Sequence, residues 1–319
     1  MQSFPTRADI EAAAERISGQ VHRTPVMTCS TLDRLAQCRL FFKCENFQKV
    51  GAFKFRGASN AVLSLSGREA ARGVATHSSG NHAQALALAA SLRGIPAHIV
   101  MPSNAPAVKR SAVEGYGAHI IDCEPTLQAR EETLDVVLQD TGATFIHPYN
   151  DQRIIAGQAT AARELLDEIS DPDVVITPVG GGGLLSGTAL AVRYYSPQSA
   201  VLGAEPAGAD DAMRSLRAGH IIPSENPRTI ADGLLTSLGD KTFPIIRTYV
   251  RDILTVEDDA IIHAMRLVWE RMNIIIEPSA AVPLAAVLEH RRDFAGKRVG
   301  IILSGGNLDL NVLPWSDND

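Results

Sequence analysis

The chain has 319 residues, with 45% hydrophobic and 21% charged residues, which is ordinary globular composition and enough length for two domains. A net charge of −6 argues against a nucleic-acid-binding protein, which would carry a basic stripe, although backbone amides can still bind a phosphate. The cysteines form no C-x-x-C pair, and neither Met1–Ile10 nor any later stretch has the apolar length of a leader or a membrane helix. We therefore expect a soluble, cytoplasmic protein with no disulfide framework, structural zinc, nucleic-acid partner or membrane partner.

Short apolar runs alternate with longer helical patterns along almost the whole chain. The predicted strands are Leu40–Cys44, Val74–His77, Ala97–Met101, His119–Cys123, Thr144–His147, Val174–Pro178, Val201–Ala204, Ile253–Val256 and Val299–Leu303. The predicted helices include Arg7–Ser18, His82–Leu92, Pro106–Tyr116, Gln128–Gln139, Gln152–Glu168, Leu185–Tyr195, Asp258–Met272 and Ala280–His290. This alternation indicates crossover units, and hence an α/β fold with mostly parallel sheets covered by helices on both faces.

The order of these elements predicts two lobes. Four compact α/β units between residues 49 and 147 would form one lobe, and the rest of the chain would form the other. A cleft between two such lobes, at the carboxyl ends of the strands, is where folds of this kind bind ligands. Disorder is expected only in the tail, Ser316–Asp319.

Lys54 lies in the first segment that indicates chemistry, K-C-E-N-F-Q-K-V-G-A-F-K-F-R-G (Lys43–Gly57). It follows a Gly-Ala-Phe turn and stands between Phe53 and Phe55. Apolar neighbours lower the pKa of a lysine, and the neutral amine is the nucleophile that forms a Schiff base. Taken alone the pattern is weak, because most single lysines at a helix start lie on the surface.

The second segment, H-S-S-G-N-H-A-Q-A (His77–Ala85), lies between a strand and a helix. Ser78, Ser79 and Asn81 place hydroxyl, amide and backbone donors at a helix N-terminus, which suits a carboxylate or phenolate oxygen. Simple helix capping by Ser79 or Asn81 is the alternative. The double serine followed by glycine exceeds what a cap requires.

Four consecutive glycines, Gly180, Gly181, Gly182 and Gly183, lie in the third segment, T-P-V-G-G-G-G-L-L-S-G. They follow a buried strand and precede a helix, so successive N–H groups can converge on one anion. The segment matches neither the dinucleotide fingerprint nor the P-loop, which favours a single phosphate over a nucleotide. A flexible turn is the alternative, but four glycines are entropically costly for a turn.

Ser304 ends an apolar strand in the fourth segment, I-I-L-S-G-G-N-L-D (Ile301–Asp309). A hydroxyl at this point can form a hydrogen bond with a heteroaromatic nitrogen without protonating it. In isolation, an ordinary strand-end turn is the better interpretation.

Taken together and in this order, the four segments resemble the fold-type II (tryptophan-synthase β-like) pyridoxal-phosphate enzymes, in particular the branch of serine/threonine dehydratases and serine racemases. The match extends from about Thr24 to Asp309. It implies a two-lobed fold with residues 49–147 as a small mobile domain, and with 1–48 and 148–319 as a large domain that binds the cofactor. It also implies an amino-acid substrate and a homodimer.

The resemblance implies a role for each matched residue. Lys54 matches the lysine that holds pyridoxal 5'-phosphate as a Schiff base and Phe53 the residue against the cofactor ring. Asn81 would bind the ring hydroxyl, Ser304 the pyridine nitrogen, and Gly180–Gly183 the phosphate. The residues implied on the side of the substrate carboxylate are Ser78, Ser79, His82 and Arg130.

A cation site is a further implication, carried by A-E-P-A-G-A-D-D (Ala204–Asp211). Glu205, Asp211 and the carbonyl of Ala209 would be its ligands, and oxygen ligands suit Mg²⁺, Ca²⁺ or Mn²⁺ better than zinc. An acidic helix N-terminus at Asp210 and Asp211, which needs no metal, is the alternative.

The function predicted first is a dehydratase (ammonia-lyase) that converts L-serine, L-threonine or a related 3-hydroxy amino acid to a 2-keto acid and ammonia. A serine racemase with dehydration as a side reaction is the second hypothesis. By the resemblance, Ser79 matches the racemase's second base, but many dehydratases also have a serine there, so it permits racemisation without establishing it. L-threo-3-hydroxyaspartate is a further substrate, for which Arg130 could bind the second carboxylate. A non-catalytic amino-acid or cofactor-binding module is the third hypothesis, and the presence of both Lys54 and Ser304 argues against it.

Overall fold

The computed structural model describes residues 4–105 and 107–315. The strands are β1 (Val26–Met27), β2 (Arg39–Cys44), β3 (Val74–His77), β4 (Ala97–Pro102), β5 (His119–Cys123), β6 (Thr144–Phe145), β7 (Val174–Pro178), β8 (Ala200–Pro206), β9 (Asp252–Val256) and β10 (Arg298–Leu303). The helices are α1 (Arg7–Ile17), α2 (Ser30–Ala36), α3 (Lys54–Leu63), α4 (Gly67–Arg72), α5 (Asn81–Arg93), α6 (Ala107–Gly115), α7 (Leu127–Thr141), α8 (Gln152–Glu168), α9 (Gly183–Tyr195), α10 (Asp211–Ala218), α11 (Thr242–Tyr249), α12 (Asp258–Met272), α13 (Pro278–Glu289) and α14 (Arg291–Phe294).

The strands form two separate sheets. The larger sheet has six strands in the order β1-β2-β10-β7-β8-β9, and only its β1–β2 pair is antiparallel. The smaller sheet has four parallel strands in the order β5-β4-β3-β6, and all of them come from the stretch between residues 49 and 147. The predicted α/β class with parallel sheets is therefore confirmed.

Helices cover both faces of each sheet, which explains why the central strands are apolar without alternation. Every residue of β7 is buried. Val174 and Ile176 pack in a core with α12 and α13, whereas Val175 packs in a second core with α8 and α9. In the smaller sheet, α3 and α5 cover one face and α7 covers the other. Among the described residues, no helix has the length and apolar character needed to span a membrane.

Several short helices have no counterpart in the sequence prediction: α2, α3, α4, α10, α11 and α14. Most have eight residues or fewer, which is too short for a clear helical period. Helix α3 is longer, but it is buried from Phe55 to Val62. Even its polar residues Arg56, Ser59 and Asn60 lie inside the protein, so it lacks the solvent-exposed polar face that marks a surface helix.

Strand β6 ends at Phe145 and does not reach His147 as predicted. The chain turns there, because the Nδ1 atom of His147 accepts hydrogen bonds from the backbone N–H groups of Tyr149 and Asn150. Pro106, the predicted start of α6, and the tail Ser316–Asp319 lie outside the described residues.

A buried charge network holds the first turn of α3. Arg56 is fully buried and donates to both carboxylate oxygens of Glu45, at 2.7 and 2.8 Å. It also donates to both oxygens of Glu164, again at 2.7 and 2.8 Å. Lys43 Nζ, also buried, lies 2.7 Å from Glu164, so two cations face two carboxylates. Because Arg56 follows Lys54 by two residues, this network fixes the start of the helix.

Candidate active site

The four segments with predicted chemistry all lie where a strand ends and the chain enters a turn or a helix. Phe53 N–H donates to the carbonyl of Ser304 at 3.0 Å, which joins the first segment to the fourth. Asn307, in the fourth segment, donates to the side chain of Asn81 in the second, at 2.9 Å. The glycine loop, Gly180–Gly183, contacts Tyr149, whose neighbour Pro148 accepts a hydrogen bond from Lys54. The fold therefore brings all four segments together.

Lys54 is the first residue of α3. Its Nζ atom donates to the carbonyl oxygen of Pro148 at 2.9 Å and lies 5.3 Å from the centre of the Phe53 ring. Burial lowers the pKa of Lys54 to about 8, although the carboxylate of Glu277 opposes the shift. The amine is therefore more readily deprotonated than that of an ordinary lysine, which is what a nucleophile or general base requires.

Ser304 follows β10 and is buried, with 3% of its surface exposed. Its neighbour Gly305 forms an isolated antiparallel bridge with Ala52, close to the turn that precedes Lys54. The serine hydroxyl thus belongs to the same small region as Phe53 and Lys54.

Asn81 opens α5 and belongs to a partly buried polar cluster around Glu277. Its Nδ2 atom donates to both oxygens of Glu277, at 3.0 and 3.2 Å, and its Oδ1 atom accepts from Asn307. Asn307 N–H also donates to Glu277, at 3.1 Å. Burial raises the pKa of Glu277 to about 7, against the lowering effect of the hydrogen bond from Asn81. These contacts fix the orientation of the Asn81 amide.

Ser78, Ser79 and His82 lie where the strand β3 passes into α5. The two serines are half-buried, and Ser78 Oγ accepts from Gly80 N–H at 3.3 Å. The His82 ring is buried instead, and its Nε2 atom lies 3.1 Å from the carbonyl of Ile146. Burial holds the pKa of His82 well below its usual range, so the ring is neutral and Nε2 is its donor. Its Nδ1 atom has no partner among the described residues.

Arg130 lies in the first turns of α7, the helix that covers β3. Its Nε atom is buried without a hydrogen-bond partner in the described parts of the chain. Its charge helps to lower the pKa of His77, the last residue of β3, although burial is the larger cause. The guanidinium is therefore near the strand end that leads into Ser78 and Ser79.

The glycine loop presents free backbone donors at the start of α9. None of its four N–H groups donates to another group within residues 4–105 and 107–315. Only Gly182 requires glycine for its backbone conformation, with φ of +87°. Unpaired N–H groups at a helix N-terminus form a site for one anion such as a phosphate.

Glu205 and Asp211 lie close together at the end of β8 and the start of α10. Glu205 accepts from the N–H groups of Met213 and Ala212, at 2.6 and 3.2 Å. Burial, together with the nearby charge of Asp211, raises the pKa of Glu205 to about 8, and burial raises that of Asp211 to about 6. Asp211 Oδ2 is buried with no partner in the described chain, and Ala209 is buried in the preceding turn.

These two carboxylates fit a cation with oxygen ligands, because a positive charge would satisfy the unpaired oxygen and favour both ionised forms. The described residues contain no group of three or more histidine, cysteine or acidic side chains arranged for a metal. Carbonyl groups and water would therefore complete the coordination. The alternative, an acidic helix N-terminus that needs no metal, stays open. Asp210 is the N-cap residue of α10 and Asp211 its first residue, although Asp210 pairs with Arg214 and makes no capping hydrogen bond.

Sequence reasoning missed Glu277, Pro148 and Tyr149, and it quoted Asn307 without assigning it a role. Glu277 stands directly before Pro278, at the start of α13. Pro148 and Tyr149 belong to the run H-P-Y-N after a strand end, which is a loop position where functional residues concentrate. Neither of these sequence features predicts which residues Glu277, Pro148 or Tyr149 contact, because the contacts join parts of the chain that are far apart in sequence.

The donor set fits pyridoxal 5'-phosphate. Lys54 offers an amine with a lowered pKa for the aldehyde, and the glycine loop offers free N–H groups for the phosphate. Asn81 and the buried Ser304 offer uncharged polar groups for the ring oxygen and nitrogen.

Comparison with known proteins also indicates a pyridoxal-phosphate enzyme. The family model described as "Pyridoxal-phosphate dependent enzyme" matches residues 17–305. The β-hydroxyaspartate dehydratase of Paracoccus denitrificans (strain Pd 1222) is 52% identical over 98% of this chain and 99% of its own. The serine racemase structure from Dictyostelium discoideum is 49% identical, covers 97% of this chain and 100% of its own, and has a TM-score of 0.93. The T.th. threonine deaminase structure is 46% identical, covers 96% of this chain and 99% of its own, and has a TM-score of 0.91.

Proposed function

The chain belongs to the family of pyridoxal-phosphate-dependent enzymes, and from this premise we propose that it is an ammonia-lyase for 3-hydroxy amino acids. The reaction removes water from the substrate, and the resulting imine is hydrolysed to a 2-keto acid and ammonia. The observation that carries the proposal is the amine of Lys54, with its lowered pKa, beside the Asn81 and Ser304 segments. The threonine deaminase and hydroxyaspartate dehydratase among the similar proteins support the same class of reaction.

The cofactor would be held at both ends by residues of the site. Lys54 would anchor its aldehyde carbon, and the N–H groups of Gly180–Gly183 would bind its phosphate. Phe53 would lie against the ring, Asn81 would bind the ring oxygen, and Ser304 would bind the ring nitrogen. When bound, the cofactor withdraws electrons from Cα of the substrate and makes the Cα proton acidic.

Lys54 would then act as the base at Cα. With a pKa of about 8, its amine loses a proton within the physiological range and can accept one from the substrate. The carbonyl of Pro148 accepts a hydrogen bond from Nζ, so the ammonium form also has a partner. The β-hydroxyl would then leave as water, taking up the proton that Lys54 had removed from Cα, which completes the elimination.

The substrate carboxylate would be bound at the start of α5, by Ser78, Ser79 and nearby N–H groups, with His82 beneath them. Ser79 would stand on the opposite face of Cα from Lys54. If its hydroxyl returned a proton before the β-hydroxyl departed, the same site would catalyse racemisation. A difference of ~1.4 kcal/mol between the two barriers changes the ratio of products tenfold.

A second candidate substrate, 3-hydroxyaspartate, is favoured by one observation. The buried Nε atom of Arg130 has no hydrogen-bond partner among the described residues. The positive charge of Arg130 helps to lower the pKa of His77, which directly precedes Ser78 and Ser79. A second carboxylate on the substrate would give this guanidinium a partner of opposite charge. We propose that Arg130 binds that carboxylate.

A divalent cation is the other proposed component. Glu205, Asp211 and the carbonyl of Ala209 would bind Mg²⁺, Ca²⁺ or Mn²⁺, which the unpaired Asp211 Oδ2 supports. Its role would be structural, because it would neutralise two buried carboxylates at the start of α10. A homodimer stays a prediction of the family resemblance, and a cytoplasmic location stays a prediction from the composition of the chain.

The proposal is tested with purified holoenzyme on L-serine, L-threonine and L-threo-3-hydroxyaspartate, with keto acid and both enantiomers measured. We expect keto acid to form faster than the inverted amino acid. Faster formation of D-serine than of pyruvate would replace the assignment as a lyase by one as a racemase.

Arg130→Ala should raise KM for hydroxyaspartate more than for serine.

Lys54→Ala tests the anchor itself. It should abolish both turnover and the visible absorbance band of the bound cofactor. Lys297→Ala is the matched control, because Lys297 precedes β10 at the end opposite Ser304. A Lys54→Ala protein that kept the band and full turnover would remove the central assignment.

A further inference from the structure

The run His147–Asn150 connects β6 of the smaller sheet to α8. It turns sharply, because His147 Nδ1 accepts from Tyr149 N–H at 3.3 Å and from Asn150 N–H at 3.0 Å. Burial, with smaller contributions from His77 and Lys54, lowers the pKa of His147 to about 4, so the ring stays a neutral acceptor near neutral pH. The His147 and Tyr149 rings are in edge-to-face contact, with centroids 4.5 Å apart. The backbone and ring of Tyr149 are therefore both held in place.

The ring of Tyr149 packs directly against the glycine loop. A Cβ atom at Gly181 would lie 2.3 Å from atoms of this ring, and one at Gly183 would lie 2.9 Å from Cβ of Tyr149. Both distances are shorter than any real contact of a Cβ atom. Glycine at these two positions is thus required by Tyr149 and not by backbone conformation, since only Gly182 has a positive φ in the loop.

A second contact holds the loop through Thr242, at the start of α11. Its hydroxyl donates to the carbonyl of Gly181 at 2.9 Å. Asn150 reaches the same turn, because its Oδ1 atom accepts from Lys241 N–H at 2.8 Å. The run that carries Tyr149 is therefore tied to the other support of the glycine loop.

The same run also contacts Lys54, through the carbonyl of Pro148 at 2.9 Å from Nζ. One stretch of four residues thus touches the groups proposed for the aldehyde end and for the phosphate end of the cofactor. We propose that Tyr149 is a positioning residue, whose ring holds the glycine loop at a set distance from Lys54 and so gives the site its preference for a phosphorylated pyridoxal. The inference rests on the proposed function.

The test compares pyridoxal 5'-phosphate with pyridoxal, which lacks the phosphate, as ligands of the apoprotein. The ratio of their dissociation constants, measured from the visible absorbance band, reports the contribution of the phosphate end alone. Tyr149→Ala should reduce this preference by about tenfold, which corresponds to ~1.4 kcal/mol of binding free energy. Tyr149→Phe should keep it within about twofold, because the ring is retained.

The control is Tyr249→Ala, which removes another half-buried tyrosine in edge-to-face contact, here with Phe4. It should leave the ratio unchanged, and its melting temperature gives the cost of losing such a ring. An unchanged ratio in Tyr149→Ala overturns the inference, as does an equal loss in Tyr149→Phe, which would assign the effect to the hydroxyl. A wild-type chain that binds neither ligand would instead overturn the proposed function.

A double-mutant cycle tests the contact even if Tyr149→Ala is poorly stable. Gly181→Ala should reduce the preference for the phosphorylated ligand in the wild-type chain, because the new Cβ meets the Tyr149 ring. In the Tyr149→Ala chain, the same change should have a smaller effect, since the obstructing ring is gone. Additive effects would show that Tyr149 does not set the shape of the loop.

Discussion

Two buried carboxylate sites lie at strand and helix ends of this fold, and they differ in their partners. Glu277 receives hydrogen bonds on both oxygens, from the Asn81 side chain and from Asn307 N–H. The pair of Glu205 and Asp211 has two N–H donors for Glu205 and leaves Asp211 Oδ2 with none among the described residues. Burial raises the pKa at both sites, to about 7 for Glu277 and to about 8 and 6 for the pair.

The difference indicates what each site requires. Both carboxylate oxygens of Glu277 accept hydrogen bonds from the protein itself. These bonds fix the orientation of the Asn81 amide, which we propose binds the oxygen of the cofactor ring. Glu205 and Asp211 concentrate two acidic groups whose ionised forms are disfavoured by burial, and the charge of Asp211 further raises the pKa of Glu205. A cation would favour the ionised forms of such a pair, whereas the carboxylate of Glu277 already has hydrogen-bond donors on both oxygens.

Removal of the proposed cation should have the largest effect on the stability of the protein. At pH 8, a divalent cation at about a hundred times its dissociation constant should stabilise the protein by ~2.7 kcal/mol, and a chelator should remove this stabilisation. Asp211→Asn should abolish the response, and Asp210→Asn, next to it but paired with Arg214, should not. Thermal unfolding with Mg²⁺, Ca²⁺ and Mn²⁺ measures the effect. Equal responses in the two variants would show that the two carboxylate sites do not differ as described.

The next effect concerns Glu277. Glu277→Ala leaves the Asn81 amide and Asn307 N–H without their acceptor, which should cost about 2 kcal/mol of unfolding free energy. It should also weaken cofactor binding, because Asn81 is no longer oriented. Glu289→Ala, at the exposed end of the same helix, is the control. A Glu277→Ala protein as stable as this control would contradict the hydrogen-bonded cluster, and a response to Mg²⁺ that changed in it would link the two sites.

The smallest effect is a pH dependence. Glu277 has a higher pKa in the folded chain, about 7, than in the unfolded chain, so its stabilising contribution is lost as the pH rises towards 7. Between about pH 6 and pH 7, the wild-type chain should lose ~1 kcal/mol of stability relative to Glu277→Gln. Denaturant unfolding across this range, with cation held constant, checks the slope. Parallel curves would mean that Glu277 titrates normally.

The sequence predicts those parts of the site whose signal is local. The four glycines, the lysine between two phenylalanines and the serine after an apolar strand each lie within one short segment. Their order along the chain is specific enough to indicate the cofactor. The long elements, such as Asp258–Met272, are predicted at their observed bounds for the same reason, since a helical period extends over many residues.

The parts that could not be predicted depend on contacts between distant residues. Glu277 and Asn81 are 196 positions apart in the sequence, and no pattern in the segment around either residue predicts their contact. Helix α3 has no solvent-exposed polar face, because other elements bury it almost all round, including its polar residues. Tyr149 likewise gives no local sign of the glycine loop that it contacts.

The charge network around Arg56 has a consequence for the position of Lys54, which begins the same helix. Arg56 is saturated by Glu45 and Glu164, and moving α3 would expose or unpair a buried guanidinium. The backbone of Lys54, at the first residue of this helix, is therefore held in place by contacts within the protein alone.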